Sequence, residues 1–181
     1  MKILSIQGSP RKNKNTSALL SEYLRGAQQN ADVYNETVYL QPMDIKPCTG
    51  CDACKTTLDT CIIEDEMLPL YDKVKTADVL VFATPIYWWH MSAQLKTFLD
   101  RMYALDFETG FPGKRFVLLM TYGGEDPNTG AQILEKSMQE IMEYLQMQIA
   151  CIYGVCTGTT PMKDNPKALD KAYELGKQLS L

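Results

Sequence analysis

Short apolar runs alternate along the chain with segments whose apolar residues recur at helical spacing, and this alternation limits the fold more than any other feature. The run at 79–84 is apolar at nearly every position, which is typical of a strand covered on both faces. The predicted strands are 1–8, 33–40, 79–84, 116–121 and 148–155. The pattern predicts an α/β fold, with a doubly wound five-stranded parallel sheet and helices on both faces.

The helical segments are predicted at 16–29, 67–74, 92–103, 133–145 and 168–179. Asp65 is a candidate cap for the second helix, and Pro69 falls in its first turn, where proline is tolerated. Ser92 is predicted to open the third helix.

A polar loop follows the first predicted strand. After Gly8 the chain reads Ser9-Pro-Arg-Lys-Asn-Lys-Asn-Thr-Ser17, and then the helical spacing begins. The free N–H groups of a first helical turn, with hydroxyl and amide side chains beside them, suit a phosphate. Arg11, Lys12 and Lys14 add positive charge to this loop. An ordinary strand-to-helix connection capped by Thr16 or Ser17 is the alternative.

Three familiar phosphate-binding motifs do not match this loop. A Walker loop ends in Gly-Lys-Ser/Thr, whereas this one ends Lys14-Asn-Thr-Ser17. A dinucleotide fingerprint needs three spaced glycines, and only Gly8 is present. A phosphatase loop would need a cysteine, and none precedes Cys48.

Two further loops of unusual composition also follow predicted strands. The segment 84–91 is rich in aromatic residues, and the segment 121–130 is rich in glycine. In parallel sheets, ligands bind beyond the carboxyl ends of the strands, where the strand order reverses. Three such loops at one edge favour a binding site there.

Size and charge narrow the class of protein. The 181 residues, 45% hydrophobic, predict a single domain over 1–181 with a cysteine-rich insertion at 41–65. The net charge of −4 and the pI near 5.1 argue against nucleic acid as a partner. The sequence contains no stretch long enough to span a bilayer and no signal-peptide pattern, so no membrane partner and a cytoplasmic location are expected.

Four of the six cysteines are close together in the form C-x2-C-x2-C-x6-C. They are Cys48, Cys51, Cys54 and Cys61. The flanking Pro47 and Gly50 permit the backbone to curl around one centre. This pattern matches iron-sulfur ligation in kind, while zinc, redox-active thiols without a metal, and simple packing stay open. Cys151 and Cys156 are expected to be buried small hydrophobic residues.

The loop at 8–17, together with Thr84-Pro-Ile-Tyr-Trp88 and Met91-Ser-Ala-Gln-Leu-Lys-Thr-Phe-Leu-Asp-Arg101, resembles the NADPH-dependent FMN reductase family. The fold of that family is flavodoxin-like, and the resemblance covers nearly the whole chain. Within the family, the cysteine cluster is similar to that of the iron-sulfur flavoproteins. The resemblance implies an NAD(P)H-dependent FMN oxidoreductase that forms a homodimer or homotetramer.

The same resemblance implies the FMN site. Its phosphate would be held by Ser9, Arg11, Asn15, Thr16 and Ser17. The isoalloxazine ring would be bordered by Pro85, Ile86, Tyr87 and Trp88 and flanked by Tyr122, Gly123 and Gly124. A patch buried in a dimer is the other interpretation of the aromatic loop. No catalytic side chain is expected, His90 included, because hydride reaches the flavin N5 directly.

The expected function is electron transfer between NAD(P)H or a reduced carrier, FMN and a [4Fe-4S] cluster on Cys48, Cys51, Cys54 and Cys61. The final acceptor would be a small molecule or a redox protein. One alternative is a cluster-free reductase of FMN, quinones or nitro compounds, and another is an electron carrier or redox sensor without turnover. No nicotinamide signature separates NADH from NADPH.

Overall fold

Five parallel strands cross the centre of the computed structural model, which describes residues 1–56 and 60–179. The strands are β1 (Lys2–Gln7), β2 (Tyr34–Tyr39), β3 (Val79–Pro85), β4 (Arg115–Tyr122) and β5 (Gln148–Cys156). Their order is β2-β1-β3-β4-β5, and every neighbouring pair is parallel. The predicted five-stranded parallel sheet is confirmed, and its order is that of the flavodoxin-like fold.

Helices cover both faces of this sheet, as predicted. They are α1 (Asn15–Ala27), α2 (Ala53–Thr56), α3 (Leu68–Thr76), α4 (Ala93–Arg101), α5 (Thr129–Tyr144) and α6 (Pro166–Lys177). Short 3-10 turns occupy Met102–Ala104 and Met162–Asp164. In the described residues, no helix is long and apolar enough to cross a membrane.

The core forms two layers because successive side chains of a strand point to opposite faces. Ile3 and Val81 pack in one layer with α1 and α6. Leu4 and Phe82 pack in the other layer with α3, α4 and α5. Strand β3 is therefore apolar at almost every position, as the continuous run at 79–84 predicted.

Helices α1 and α6 cross at a pair of glycines. A Cβ atom on Gly26 would lie 1.9 Å from the carbonyl oxygen of Tyr173, and one on Gly176 would lie 1.9 Å from that of Tyr23. No side chain fits at either position, so the two backbones are in direct contact.

Two details differ from the sequence-based expectations. The N-cap of α3 is Met67, which makes no side-chain cap bond, whereas Asp65 lies two residues earlier and accepts the Met67 N–H at 3.0 Å. Cys151 and Cys156 are partly buried instead of fully buried, because β5 lies at an edge of the sheet.

The segment 57–59 of the expected cysteine-rich insertion lies outside the described residues.

Candidate active site

The first predicted loop ends at the N-terminus of α1, and no side chain caps that end. The N-cap residue, Lys14, makes no side-chain cap hydrogen bond, so the N–H groups of the first turn remain available to an anion. Ser9 is buried at the start of the loop, and its Oγ accepts the Arg11 N–H at 3.2 Å. The alternative of an ordinary capped connection is not what the structure contains.

Three polar side chains at this helix start are fixed by hydrogen bonds. The Thr16 and Thr121 hydroxyl oxygens are 2.8 Å apart, and both residues are buried. Ser17 Oγ accepts from the Gln7 amide at 2.7 Å, which leaves its own proton free to donate. The Asn15 side-chain oxygen accepts the Met162 N–H at 3.1 Å, which leaves the amide NH2 free to donate.

The cations of this loop are exposed and make no ion pair with any described residue. The end of β2 holds the loop in place, since the Tyr39 hydroxyl donates to the Pro10 carbonyl oxygen at 3.0 Å. Lys12 lies over the Tyr39 ring, 5.9 Å from its centroid. Positive charge therefore surrounds an uncapped helix N-terminus.

The aromatic loop forms a tight turn whose tip is two tryptophans. Tyr87 and His90 pair through both backbone hydrogen bonds, at 2.9 and 3.1 Å. Between them, Trp88 and Trp89 have φ angles of 47° and 63°, the left-handed region that both central residues of a type I′ turn require. The two side chains are 91% and 56% exposed.

Hydrogen bonding limits which amides of this turn can contact a ligand. The Ile86 N–H donates to the Thr121 carbonyl oxygen at 2.8 Å, and the Tyr87 N–H is used in the turn. The N–H groups of Trp88 and Trp89 have no partner in the described part of the chain. The turn tip is therefore where this loop can donate to a bound molecule.

A hydrogen bond from the buried Tyr122 stabilises the glycine-rich loop after β4. Tyr122 is buried and its hydroxyl donates to Asp126 at 2.7 Å. Burial and this hydrogen bond raise the pKa of Tyr122, so it stays a neutral donor. Gly123 has open space where a Cβ would be, whereas a Cβ on Gly124 would lie 2.8 Å from the Asn128 side chain. Contact with a flat ligand would thus come through the backbone at Gly123.

Ser92 joins the first loop to the start of α4. Its hydroxyl donates to the Gly8 carbonyl oxygen at 2.6 Å and accepts the Leu95 N–H at 3.4 Å as the N-cap of α4. Its own N–H donates to Thr84 Oγ1 at 3.0 Å. Ser92 was predicted to open this helix, which is confirmed, but its bond to Gly8 was not foreseen.

Sequence reasoning missed a fourth segment at this edge, which follows β5. The Thr157 N–H donates to the Tyr122 carbonyl oxygen at 2.7 Å, and Met162 contacts Asn15 as described above. A Cβ on Gly158 would lie 2.1 Å from the Gly123 carbonyl oxygen. The run Gly158-Thr-Thr-Pro161 directly after a predicted strand was the available signal.

The four clustered cysteines line one small cavity of about 20 Å³ beside the end of α4. Cys48 and Cys51 are exposed, and Cys54 and Cys61 are partly buried, all as free thiols. In the described residues, no group of three or more histidine, cysteine or carboxylate side chains is arranged to hold a metal ion. In the described part of the chain, the four cysteines therefore line one cavity without forming a complete metal-binding geometry.

The thiols of this cluster have different acidities. Hydrogen bonds from the Ala53 backbone and then from the Thr49 side chain hold the pKa of Cys51 below its ordinary value. Burial raises the pKa of the Cys54 thiol, and the neighbouring Cys61 and Cys48 act in the same direction. Cys51 is thus the more readily ionised of the two.

A buried ion pair anchors the segment that carries the four clustered cysteines, described at 46–56 and 60–65 and here called the cysteine segment, to α4. Arg101 donates to both carboxylate oxygens of Asp65, at 2.6 and 3.1 Å, and the two side chains are 1% and 0% exposed. Arg101 also donates to the Lys46 carbonyl oxygen at 2.7 Å. Burial alone would raise the pKa of Asp65, but the hydrogen bonds from Arg101, Lys46 and Met67 outweigh it and hold the pKa below its usual value.

Comparison with known proteins identifies the family. The sequence profile described as NADPH-dependent FMN reductase matches residues 1–153. The chain belongs to this family. The resemblance stated from the loop sequences is thereby confirmed.

Individual relatives agree with the FMN reductase assignment. An iron-sulfur flavoprotein of Methanosarcina thermophila is 30% identical over 154 residues, which cover 85% of this chain and 78% of that protein. An iron-sulfur flavoprotein of Methanocaldococcus jannaschii is 29% identical over 99% of this chain and 96% of its own length. The solved NAD(P)H:quinone oxidoreductase of Methanothermobacter marburgensis superposes with a TM-score of 0.74 at 16% identity, with 99% of each chain covered, and supports the fold.

Family membership makes this protein an FMN-dependent NAD(P)H oxidoreductase. FMN is its family cofactor and NAD(P)H its reductant.

Proposed function

We propose that the loops at the carboxyl edge of the sheet bind FMN, and that this flavin carries electrons from NAD(P)H to an acceptor. The observation that carries the proposal is the uncapped N-terminus of α1, which lies where the strand order reverses between β1 and β3. Thr16 and Ser17 carry hydroxyl groups in the first turn of this helix, and the buried Ser9 begins the loop that leads into it.

The residues present fit an FMN phosphate at this end. The N–H groups of the first turn and the proton of Ser17 are donors, and donors at a helix N-terminus stabilise a dianion. Arg11 is exposed beside them and can add a charge-assisted hydrogen bond. The hydroxyl bond between Thr16 and Thr121 ties this phosphate end to the loop that would flank the ring.

Two loops fit the edges of an isoalloxazine ring. The turn tip at Trp88 and Trp89 offers two free N–H donors and two indole rings, which would exclude water from one side. Gly123 permits close approach of the backbone from the other side. FMN, when bound, accepts a hydride from the nicotinamide and can release electrons singly or in pairs.

A charge placed at the phosphate position tests the proposal. Thr16→Glu puts a carboxylate against the phosphate, so the purified protein should lose its stoichiometric FMN, measured by absorbance. Ser21→Glu on the exposed side of the same helix is the matched control and should retain FMN. Because Thr16 is buried, circular dichroism must show that the variant is folded.

Arg11→Gln is a second test that leaves the interior unchanged. We expect it to weaken FMN affinity by about tenfold, through loss of one charge-assisted contact. Full FMN content in a folded Thr16→Glu protein, together with unchanged affinity in Arg11→Gln, would place the phosphate elsewhere.

We propose further that Cys48, Cys51, Cys54 and Cys61 bind an iron-sulfur cluster. Four thiolates are the donor set that [4Fe-4S] clusters use, all four line one cavity, and several relatives are named iron-sulfur flavoproteins. Protein purified without oxygen should contain iron and acid-labile sulfide at about four per chain. Flavin without iron or sulfide would contradict this assignment.

One observation favours a cluster-free reductase as the second candidate. The described cysteines do not converge into a metal-holding group. Such an enzyme would oxidise NAD(P)H and reduce quinones, nitro compounds or flavin with FMN alone. Activity that survives complete removal of iron would favour it over the electron-transfer function.

We also propose that the protein forms a homodimer. Trp88 is almost fully exposed, and an apolar groove of about 730 Å³ lies between α4 and α5, lined in part by Leu99, Tyr103, Ile141 and Tyr144. Light scattering should give twice the chain mass of 20.5 kDa. Ile141→Glu should return the protein to a monomer, whereas Tyr34→Ser, which removes an exposed ring on β2, should not.

A further inference from the structure

We propose that a cavity at the opposite edge of the sheet binds a small organic carboxylate. It measures about 260 Å³ and lies at the amino ends of β4 and β5, between α1 and the end of α6. Its polar lining includes Tyr23, Arg115, Gln148, Cys151 and Gln178. Nothing in the flavin site or the cysteine cluster uses these residues.

Tyr23 supplies the first sign of a ligand. Its side chain is 0% exposed, and its hydroxyl has no hydrogen-bond partner among residues 1–56 and 60–179. An orphaned buried donor is rare because it loses its bonds to water without replacement. Burial raises the pKa of Tyr23, so the group is a neutral O–H donor. Such a donor at the wall of a cavity suits an oxygen acceptor.

Arg115 supplies the charge. Its guanidinium makes neither an ion pair nor a hydrogen bond with the described residues, although it is only partly exposed. Arg115 is the one charged side chain among the described residues that line the cavity, so the cavity favours an anion.

A bulge in β5 lies at the wall of this cavity. Ile149 pairs with Phe116 and Cys151 pairs with Val117, so Ala150 is an extra residue at the cavity wall. Leu175 and Leu179 of the α6 side complete an apolar surface. A guanidinium, a hydroxyl donor and this apolar wall together fit a carboxylate with a short hydrocarbon or aromatic body.

Size and access limit the ligand further. The cavity is smaller than the roughly 300–1,000 Å³ of sites for drug-sized molecules, so only a small ligand fits. The Tyr23 hydroxyl has almost no accessible surface, so neighbouring side chains must shift when a carboxylate oxygen reaches it. Gln148 and Gln178 are exposed, and their side-chain amides have no partner in the described residues, so they are free to turn toward the ligand.

Isothermal titration of the FMN-loaded protein with hexanoate, benzoate and inorganic phosphate tests the proposal. We expect at least one of the two carboxylates to bind at one site per chain without changing the flavin spectrum. Arg115→Gln should weaken that binding at least tenfold, and phosphate should bind more weakly than the carboxylate. The absence of carboxylate binding, equal affinity in Arg115→Gln, or tighter phosphate binding would each overturn the proposal.

Tyr23→Phe gives an independent measurement. Without ligand, removal of the orphaned hydroxyl should raise the thermal midpoint by about 2 °C, while carboxylate affinity should fall. Tyr34→Phe, at an exposed tyrosine of β2, is the control and should change neither quantity. A Tyr23→Phe protein that binds the carboxylate as tightly as the wild type would show that the hydroxyl has no ligand role.

Discussion

Arg101 and Asp65 form the one ion pair of the described residues in which both side chains are almost fully buried. Burying two charges costs solvation free energy, and here the bidentate contact and the backbone partners of both groups offset it. Removal of one partner would leave the other charge buried and unpaired. Asp65→Asn should therefore lower the free energy of unfolding by about 3 kcal/mol, measured by urea titration. Asp100→Asn, which breaks the exposed pair with Lys96, should change it by less than about 0.5 kcal/mol.

The same aspartate gives the stability a defined pH dependence. The pKa of Asp65 is lower in the folded protein than the value of about 3.9 in an unfolded chain. Its stabilising contribution is therefore complete above that unfolded value and is lost as the pH falls through the folded pKa. Urea midpoints measured from neutral pH down to about pH 3 should fall more steeply in the wild type than in Asp65→Asn. Parallel curves would show that Asp65 does not carry this dependence.

At the crossing of α1 and α6, helix propensity and steric fit predict opposite effects of replacing Gly26 by alanine. Alanine has a higher helix propensity than glycine by about 1 kcal/mol, so propensity alone predicts that Gly26→Ala stabilises the protein. The Cβ would lie 1.9 Å from the Tyr173 carbonyl oxygen, which is backbone and cannot rotate away. We expect steric overlap to prevail and the free energy of unfolding to fall by about 2 kcal/mol or more. Ser137→Ala within α5 is the control for propensity and should be neutral or slightly stabilising. A more stable Gly26→Ala protein would show that the helices can move apart at little cost.

Individual strands and helices were predictable because each carries its own periodicity and its own start signal, as Ser92 does for α4. The contacts that assemble the site were not, because they join residues far apart in sequence. Thr16 and Thr121 are 105 positions apart, and Arg101 and Asp65 are 36 apart. The sequence did indicate that Arg101 has a buried partner. Arg101 lies three positions after Phe98 on the apolar side of α4, where a charged residue needs such a partner.

The fold as a whole places the loops proposed to bind FMN and the cysteine segment at different ends of α4. Ser92 holds the helix start to the first loop, while Arg101, at the far end, holds the cysteine segment. A helix of this length spans about 13 Å. In the described residues, the hydrogen bonds at Ser92 and those at Arg101 form separate sets, so loss of one region should leave the other in place.

The double variant Cys48→Ser with Cys51→Ser tests that separation. If the proposed cluster is bound, the variant should lose iron and sulfide while keeping stoichiometric FMN, because the described lining of the cavity that both cysteines share includes no residue of the loops at the carboxyl edge of the sheet. Rapid oxidation of NAD(P)H with a small artificial acceptor should continue, since hydride transfer to the flavin needs no thiol. Cys151→Ser, on β5, is the matched control and should retain both iron and FMN. If the double variant instead loses FMN, the cysteine segment must contribute to the flavin site itself, and the two regions are not independent.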